Sequence, residues 1–500
     1  MYKFARIFLG LVFAVFMTST VFSATFTVTK TSDSNDGTCD ADCSLREAVT
    51  AANNAAGDDI INFDATVFGT TQTVNVTLGE IIIGASGTLT INGTGANMLT
   101  IDGNLTNRIF RTGAGVVATI NDATITRGNG VGALATGSAG AIYNDLGTLT
   151  LNNLIITGNS VTNNAGGIRN SGTGSVLTIN NCIVSNNTAG SSSGGGMQNF
   201  STSTVFINNS TFMGNTSGGS TGGGGGQFNG TARITNSTFA NNNSPGGGGG
   251  GLQSNGSSMI ITNSTFSGNT STNNGGGIHR GTTNVNFFIR NSIVAGNNGT
   301  AASPDVTNST GGLDSQGNNI IGNVGTSTGW EMSDLLNTNP MLGMLADNGG
   351  FGMTFLPMSG SPAIDAGQNC VLDLSCASNN PPQAVTTDQR GVARPQGAAV
   401  DIGAVEVASM QTNATVSGKV LSPEGYAVSG VLVTISNGKG IIQSVVTNNF
   451  GNFVFTDIPT GQMYSLDVLS KQYEFTPQNV TVNGNVTGVT IMAGSENLKK

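Results

Sequence analysis

From Leu149 to Asn297 the chain repeats one pattern of apolar and polar positions six times. Aligning one asparagine of each block gives Asn153, Asn181, Asn209, Asn236, Asn263 and Asn291, at steps of 28, 28, 27, 27 and 28 residues. Four residues earlier stand Leu149, Leu177, Val205, Ala232, Met259 and Phe287; two earlier stand Leu151, Ile179, Ile207, Ile234, Ile261 and Ile289. Three residues later come Ile156, Val184, Phe212, Phe239, Phe266 and Val294, and six later asparagine again, from Asn159 to Asn297. An apolar spacing of two is the strand period. A unit of about 27 residues made of short strands cannot bury its own apolar face, so it must stack on its neighbours at ~4.8 Å per layer. The pattern predicts an all-β fold, a right-handed single-stranded parallel β-helix.

Two details follow from the same spacing. The six aligned asparagines keep strand parity with the Leu and Ile positions before them, which predicts an inward-pointing ladder of side-chain amides. A second apolar column contains Ile142, Ile168, Met197, Leu252 and Ile278, with Gln227 or Phe228 in the fourth place. Between the two columns lie the glycine tracts Gly194–Gly196, Gly222–Gly226, Gly246–Gly251 and Gly275–Gly277. A phosphate-cradling loop needs one glycine-rich turn that opens a helix. These tracts recur once per coil with no helical pattern after them, so they read as corners requiring positive φ and close backbone approach.

Upstream, Gly115 to Asn129 is a degenerate repeat with Asp122 in the asparagine place, and shorter strand patterns occupy Thr73–Leu78, Glu80–Ile83, Leu89–Asn92 and Leu99–Asp102. Residues 1–24 read as a signal peptide: Lys3 and Arg6 precede the apolar run Ile7–Phe16, with a cleavage site near Ser23. Nothing after it is apolar enough for a membrane span once the signal is cleaved. Residues 25–111 hold the first coils and Cys43-Ser44-Leu45-Arg46-Glu47-Ala48. Ser44 with Glu47 is a capping box opening a short amphipathic helix, and such a helix laid over the first coil would cover its open end; Arg46 and Glu47 read as a capping ion pair. This run resembles the CSLREA domain of exported bacterial β-helix proteins. The repeats of residues 112–312 resemble those of polymorphic outer-membrane proteins, which implies surface adhesion. The resemblance stops short of their barrel, because no series of alternating ten-residue strands follows.

The period is lost over residues 313–407, where Gly360-Ser361-Pro362-Ala363-Ile364-Asp365, Asp388-Gln389-Arg390-Gly391 and Asp401-Ile402-Gly403-Ala404-Val405-Glu406 occur. These motifs resemble the choice-of-anchor Q domain, which closes such β-helices. Asp365, Asp388, Asp401 and Glu406 with Arg390 and Arg394 form the charge-rich cluster of the solenoid. They read as an ion-pair network ending the core, with Asp365, Asp388 and Asp401 as weak catalytic candidates. Residues 412–494 alternate strand and turn signals, as in Gly430-Val431-Leu432-Val433-Thr434-Ile435, and predict a small Greek-key-type β-sandwich. That stretch resembles carboxypeptidase-regulatory-like and collagen-adhesin B-type domains. An isopeptide through Lys419 is conceivable in that group, but the sequence identifies no partner for it.

Charge narrows the function. Charged residues are 9% of the chain, the net charge is −9, and the low pI argues against nucleic acid as a partner. β-Helix lyases and hydrolases, the alternative reading, need clustered carboxylates and a basic residue in a groove. Between Leu146 and Pro304 there is no Asp, Glu or Lys, only Arg169, Arg233, Arg280, Arg290 and the single histidine, His279, which reads as an exposed coil residue. The chain therefore reads as non-enzymatic, without cofactor or metal, secreted or at the cell surface of a bacterium, contacting a glycan or an extracellular protein. Of the five cysteines, Cys182 replaces Leu154 and Ser210 in the repeat and reads as unpaired. The other four allow three pairings. If seven to nine coils separate the two ends, those lie on the order of 35–45 Å apart, beyond the reach of a disulfide. That leaves Cys39–Cys43 and Cys370–Cys376.

Overall fold

A computed structural model describes residues 23–496 except 85–86, 192, 201, 257, 282–285, 301–303, 310, 409–412, 438–439 and 461. Of the signal peptide read at residues 1–24, residues 1–22 lie outside the described ones. The chain divides into two units, residues 1–408 and 409–500.

The first unit is a single-stranded parallel β-helix. One coil consists of strands Thr148–Asn152, Ile155–Thr157, Ser160–Val161 and Ile168–Ser171, and the next coil begins at Val176. Stacked in parallel, equivalent strands build two sheets of eleven strands, one of nine and one of five among the described residues. Register follows the repeat: Leu149 pairs with Leu177, Leu151 with Ile179 and Ile156 with Val184. The aligned Leu, Ile and Phe columns are buried and form one continuous core. Phe212, Phe239 and Phe266 stack face to face at 4.8 Å between ring centroids, one coil apart. Each such side chain contributes roughly 1.5–3 kcal/mol by burial, and the offset per coil keeps adjacent rings in contact. In the second column Gly226 stands in register with Met197, and the fully buried ring of Phe228 lies over Gly226, filling the space a side chain there would take.

The aligned asparagines correct the parity argument. Each of Asn153, Asn181, Asn209, Asn236, Asn263 and Asn291 has φ between 47° and 54°. The strand ends one residue earlier, and a left-handed residue turns the chain from the first sheet to the next. Parity counted through that turn loses its meaning, and the side chains point away from the core. Asn153, Asn181 and Asn209 are only half-buried. The inward ladder is the column six residues later. Asn159, Asn187, Asn215, Asn242 and Asn269 each donate backbone N–H and side-chain Nδ2 to the amide oxygen of the next asparagine at 2.8–3.1 Å. The series ends when Asn297 donates both groups to the Asp305 carboxylate. A parallel column runs Cys182, Ser210, Ser237, Ser264 and Ser292, each backbone N–H bonding the next hydroxyl, then Asn319, then Asp334. Cys182 is thus a free, buried member of the hydroxyl column, its thiol pushed up to about 12 by burial.

The glycine corners also differ from the sequence reading. Of the four tracts only Gly247 has positive φ. Their requirement is close approach: a Cβ on Gly224 would stand 2.4 Å from the Gly250 carbonyl oxygen, and one on Gly250 would stand 2.3 Å from that of Gly276. The stacked loops leave no room for a side chain between coils.

At the N-terminal end the helix Leu45–Asn54 carries the Ser44/Glu47 capping box and buries Leu45, Ala48, Val49 and Ala52 against the first coil's core. Arg46 and Glu47 do not pair with each other. Arg46 bonds Asp33 at 2.8 Å, whereas Glu47 accepts from Ser34, Asp36 and Ser44, which holds its carboxyl down at about 2. Cys39 is bonded to Cys43, and Cys370 to Cys376. A buried pair absent from the sequence reading lies nearby: Arg108 reaches Glu80 at 2.6 Å and donates to the carbonyls of Leu134, Ala135 and Ser138.

Residues 313–407 behave as two parts, where the sequence suggests one closing segment that ends the core. Asp314–Ser315, Ile320–Ile321 and Leu335–Leu336 extend the two eleven-stranded sheets, and Trp330 and Leu336 pack against the end of the core. The remainder, about 340–407, folds back along the outside of the coils as a strap. Asn236 donates to Thr387 O, Asn263 to Asp401 O and Asn291 to Gln368 O, while Gln389 bridges Thr211 and Thr238. These contacts bury Asn236, Asn263 and Asn291.

Among the described residues, the second unit holds a three-stranded and a four-stranded sheet, with a further two-stranded pair. Val416, Val420, Val433, Ile435, Phe453, Phe455, Tyr464 and Leu466 form its core. Lys419 faces Asn452 across an antiparallel pair, and both are exposed. Isopeptide chemistry calls for a buried lysine, which this exposed position does not provide.

Candidate functional site: an amide-lined cleft

The strap and the outer face of the first sheet enclose a cleft of about 510 Å³, lined on the coil side by Thr178, Phe206, Asn208, Asn209, Thr235 and Asn236 and on the strap side by Pro382 to Thr387. It continues past the strap's edge as an open groove of about 620 Å³ over Asn121, Asp122, Asn152, Asn153, Asn180 and Asn181, with Gln383 at its margin. A smaller recess of about 290 Å³ joins Asn153, Asn181 and Asn209 to Phe351, Gln389 and Arg390.

The local sequence explains why this surface is so rich in amides. The residue before each turn is the last of its strand and faces outward, giving Asn92, Asn121, Asn152, Asn180 and Asn208, and Asn62 begins the same outward column one residue before its strand ends. Each of the five from Asn92 to Asn208 donates Nδ2 to the amide oxygen of the preceding coil, the first to Asn62, at 2.8–3.0 Å. This half-buried outer ladder holds the amides in fixed orientation, and the turn asparagines stand beside it. Asn153 donates to Asp122 at 3.0 Å. Phe206, partly exposed in the same face, adds an aromatic surface between Thr178 and Arg233. The sequence-predicted column thus lies at the cleft, as its wall rather than as part of the core.

The charged candidates are brought together, but inside the strap. Arg394 pairs with Glu406 at 2.7 Å with both side chains fully buried, and Arg390 pairs with Asp388 at 2.7 Å. Asp388 also accepts the backbone N–H groups of Arg390, Val392 and Glu406. Asp401 accepts those of Asp365 and Val407, and burial pushes its carboxyl up to about 7. Asp365 is half-buried and accepts from Ala399 N–H. These carboxylates tie loop backbone together. Among the described residues no group of three or more His, Cys, Asp or Glu is placed to hold a metal ion.

His279 is buried, not exposed, because it belongs to an outward column that the glycine loops cover, with Gln198, Gln227 and Gln253 in the equivalent places. Its Nδ1 lies 2.8 Å from Thr307 Oγ1, and burial lowers its pKa to about 4. The unfolded chain therefore binds a proton near pH 6.5 that the folded coil refuses until about pH 4. Stability is full above 6.5 and falls as pH drops towards 4, by on the order of 2–3 kcal/mol. His279→Gln, which restores the residue of the neighbouring coils, should flatten that part of the unfolding profile. An unchanged slope would assign it to other groups.

The fold and cleft define a β-solenoid with an appended small β-domain. Within it, residues 415–493 match the profile of the carboxypeptidase regulatory-like domain. No curated protein matches the chain. Among solved structures, the Bacillus anthracis TIE protein is similar over 16% of this chain and 17% of its own, with 15% identity and a TM-score of 0.14. The chain thus spans under a fifth of that protein's length. No described helix is long and apolar enough to cross a membrane.

Proposed function

We propose that this is an exported, non-enzymatic protein of the bacterial surface or exterior that binds a glycan in the cleft between the coils and the strap, in an adhesive or scaffolding role. The observation that carries the reading is the wall of oriented amides and hydroxyls around Phe206, because hydroxyl-rich ligands are recognised by fixed donors and acceptors beside an aromatic face. The CSLREA-like and choice-of-anchor-Q-like motifs and the regulatory-like domain support a surface setting. The non-enzymatic part rests on the carboxylates: Asp388, Asp401 and Glu406 are buried in the strap, and the cleft's carboxylate, Asp122, already accepts from Asn153.

Titration of the full chain with soluble polysaccharides, with product release assayed alongside, tests this. Saturable binding that Asn181→Leu and Asn209→Leu weaken together, without bond cleavage, is expected. Release of shortened chains would establish the lyase or hydrolase alternative, and binding unaffected by both substitutions would move the site elsewhere.

A further inference from the structure

Arg233 stands at the centre of the strand Thr231–Thr235, on the outer face beside the cleft. It is partly exposed, pairs in register with Phe206 on one side and Ile260 on the other, and lies about 7 Å along the strand from Thr235, a cleft residue. Among the described residues it takes part in no ion pair. Arg290, two coils on and in the register of Thr235, differs: it is buried and donates to the carbonyls of Ser378 and Asn379. Residues 146–304 contain four arginines and no Asp, Glu or Lys, within a chain of net charge −9. Acid is thus absent from the coils that wall the enclosed part of the cleft, where a guanidinium fork stands without a carboxylate partner; Asp122 lies four coils away from Arg233, in the open groove.

We infer that Arg233 anchors an anionic group of the bound polymer, so that the cleft takes an acidic polysaccharide bearing carboxylate or sulfate groups. This rests on the glycan-binding reading above. A planar guanidinium suits both anions, and the aromatic ring and amides beside it suit the sugar rings that carry them. An acidic peptide would use the charge but leave the amide wall without its hydroxyl partners.

The test is calorimetric titration of the full chain with polygalacturonate, dextran sulfate and neutral dextran at low and high salt. At low salt one or both acidic polymers should bind more tightly than dextran, and salt should erode the difference. Arg233→Gln should weaken acidic binding about tenfold and leave neutral binding unchanged, while Arg233→Lys recovers part of the loss. Which acidic polymer responds distinguishes carboxylate from sulfate. Equal binding of dextran and both acidic polymers, or an Arg233→Gln variant with full acidic affinity, overturns this inference and leaves glycan binding standing. If none of the three polymers binds and an acidic peptide does, both readings fall.

Discussion

Asn215→Ala is expected to destabilise the coils by about 3–6 kcal/mol. The fully buried Asn215 amide makes four bonds: its Oδ1 accepts the backbone N–H and Nδ2 of Asn187, and its Nδ2 donates to Val184 O and to Asn242 Oδ1. Truncation leaves two buried donors and two buried acceptors without this partner, with no route for water through the Phe column beside them. Asn209→Gly, six residues away, should change stability by less than about 1 kcal/mol, because a half-exposed residue at φ 50° is replaced by one that prefers that region. Denaturant unfolding of both variants decides the matter. Comparable losses would mean that the outer and inner asparagines carry similar weight, contrary to their burial.

The second large effect is expected in the strap. Glu406→Gln removes the charge facing Arg394 at 2.7 Å, in a place where neither side chain reaches solvent. The same carboxylate accepts the N–H groups of Gln396 and Asp401, so the strap's own loops loosen with it. Breaking one half of a buried pair costs about 3–5 kcal/mol, whereas replacing both halves by apolar residues of similar volume is often neutral. Amide exchange should accelerate over residues 387–406 in Glu406→Gln and recover in an Arg394→Met/Glu406→Leu double variant, with the inner ladder protected throughout. Faster exchange spread evenly over the coils would show that strap and solenoid unfold as one.

The architecture was legible because solenoid stacking is periodic: the Ile and Phe columns follow from local spacing, and the helical cap from its capping box. The asparagine column misled for a physical reason. Asparagine tolerates left-handed φ better than most residues, so its recurrence after a strand marks the turn, and the residues on either side of a turn no longer share parity. The signal for the true ladder was present at Asn159 to Asn297, six positions on. The cleft was not legible, since its strap is aperiodic and its contacts join residues 77 to 178 positions apart, such as Asn291 with Gln368 and Thr211 with Gln389. His279 was misplaced for a related reason: the loops that bury it are glycine, and glycine tracts do not say which way they fold.

The inner ladder has a direction. Each amide oxygen receives from the coil before, and each Nδ2 gives one hydrogen to the next amide oxygen and the other back to a strand carbonyl, until Asp305 accepts and has none to give; the hydroxyl column ends in the same way at Asp334. Rungs between those ends are interchangeable, so a duplicated block of the 27- or 28-residue unit could enter anywhere among them and find its bonds already specified above and below. A carboxylate closes the series as a full stop closes a sentence. Gain and loss of whole blocks would then lengthen or shorten the groove in steps of one coil, leaving both ends chemically intact.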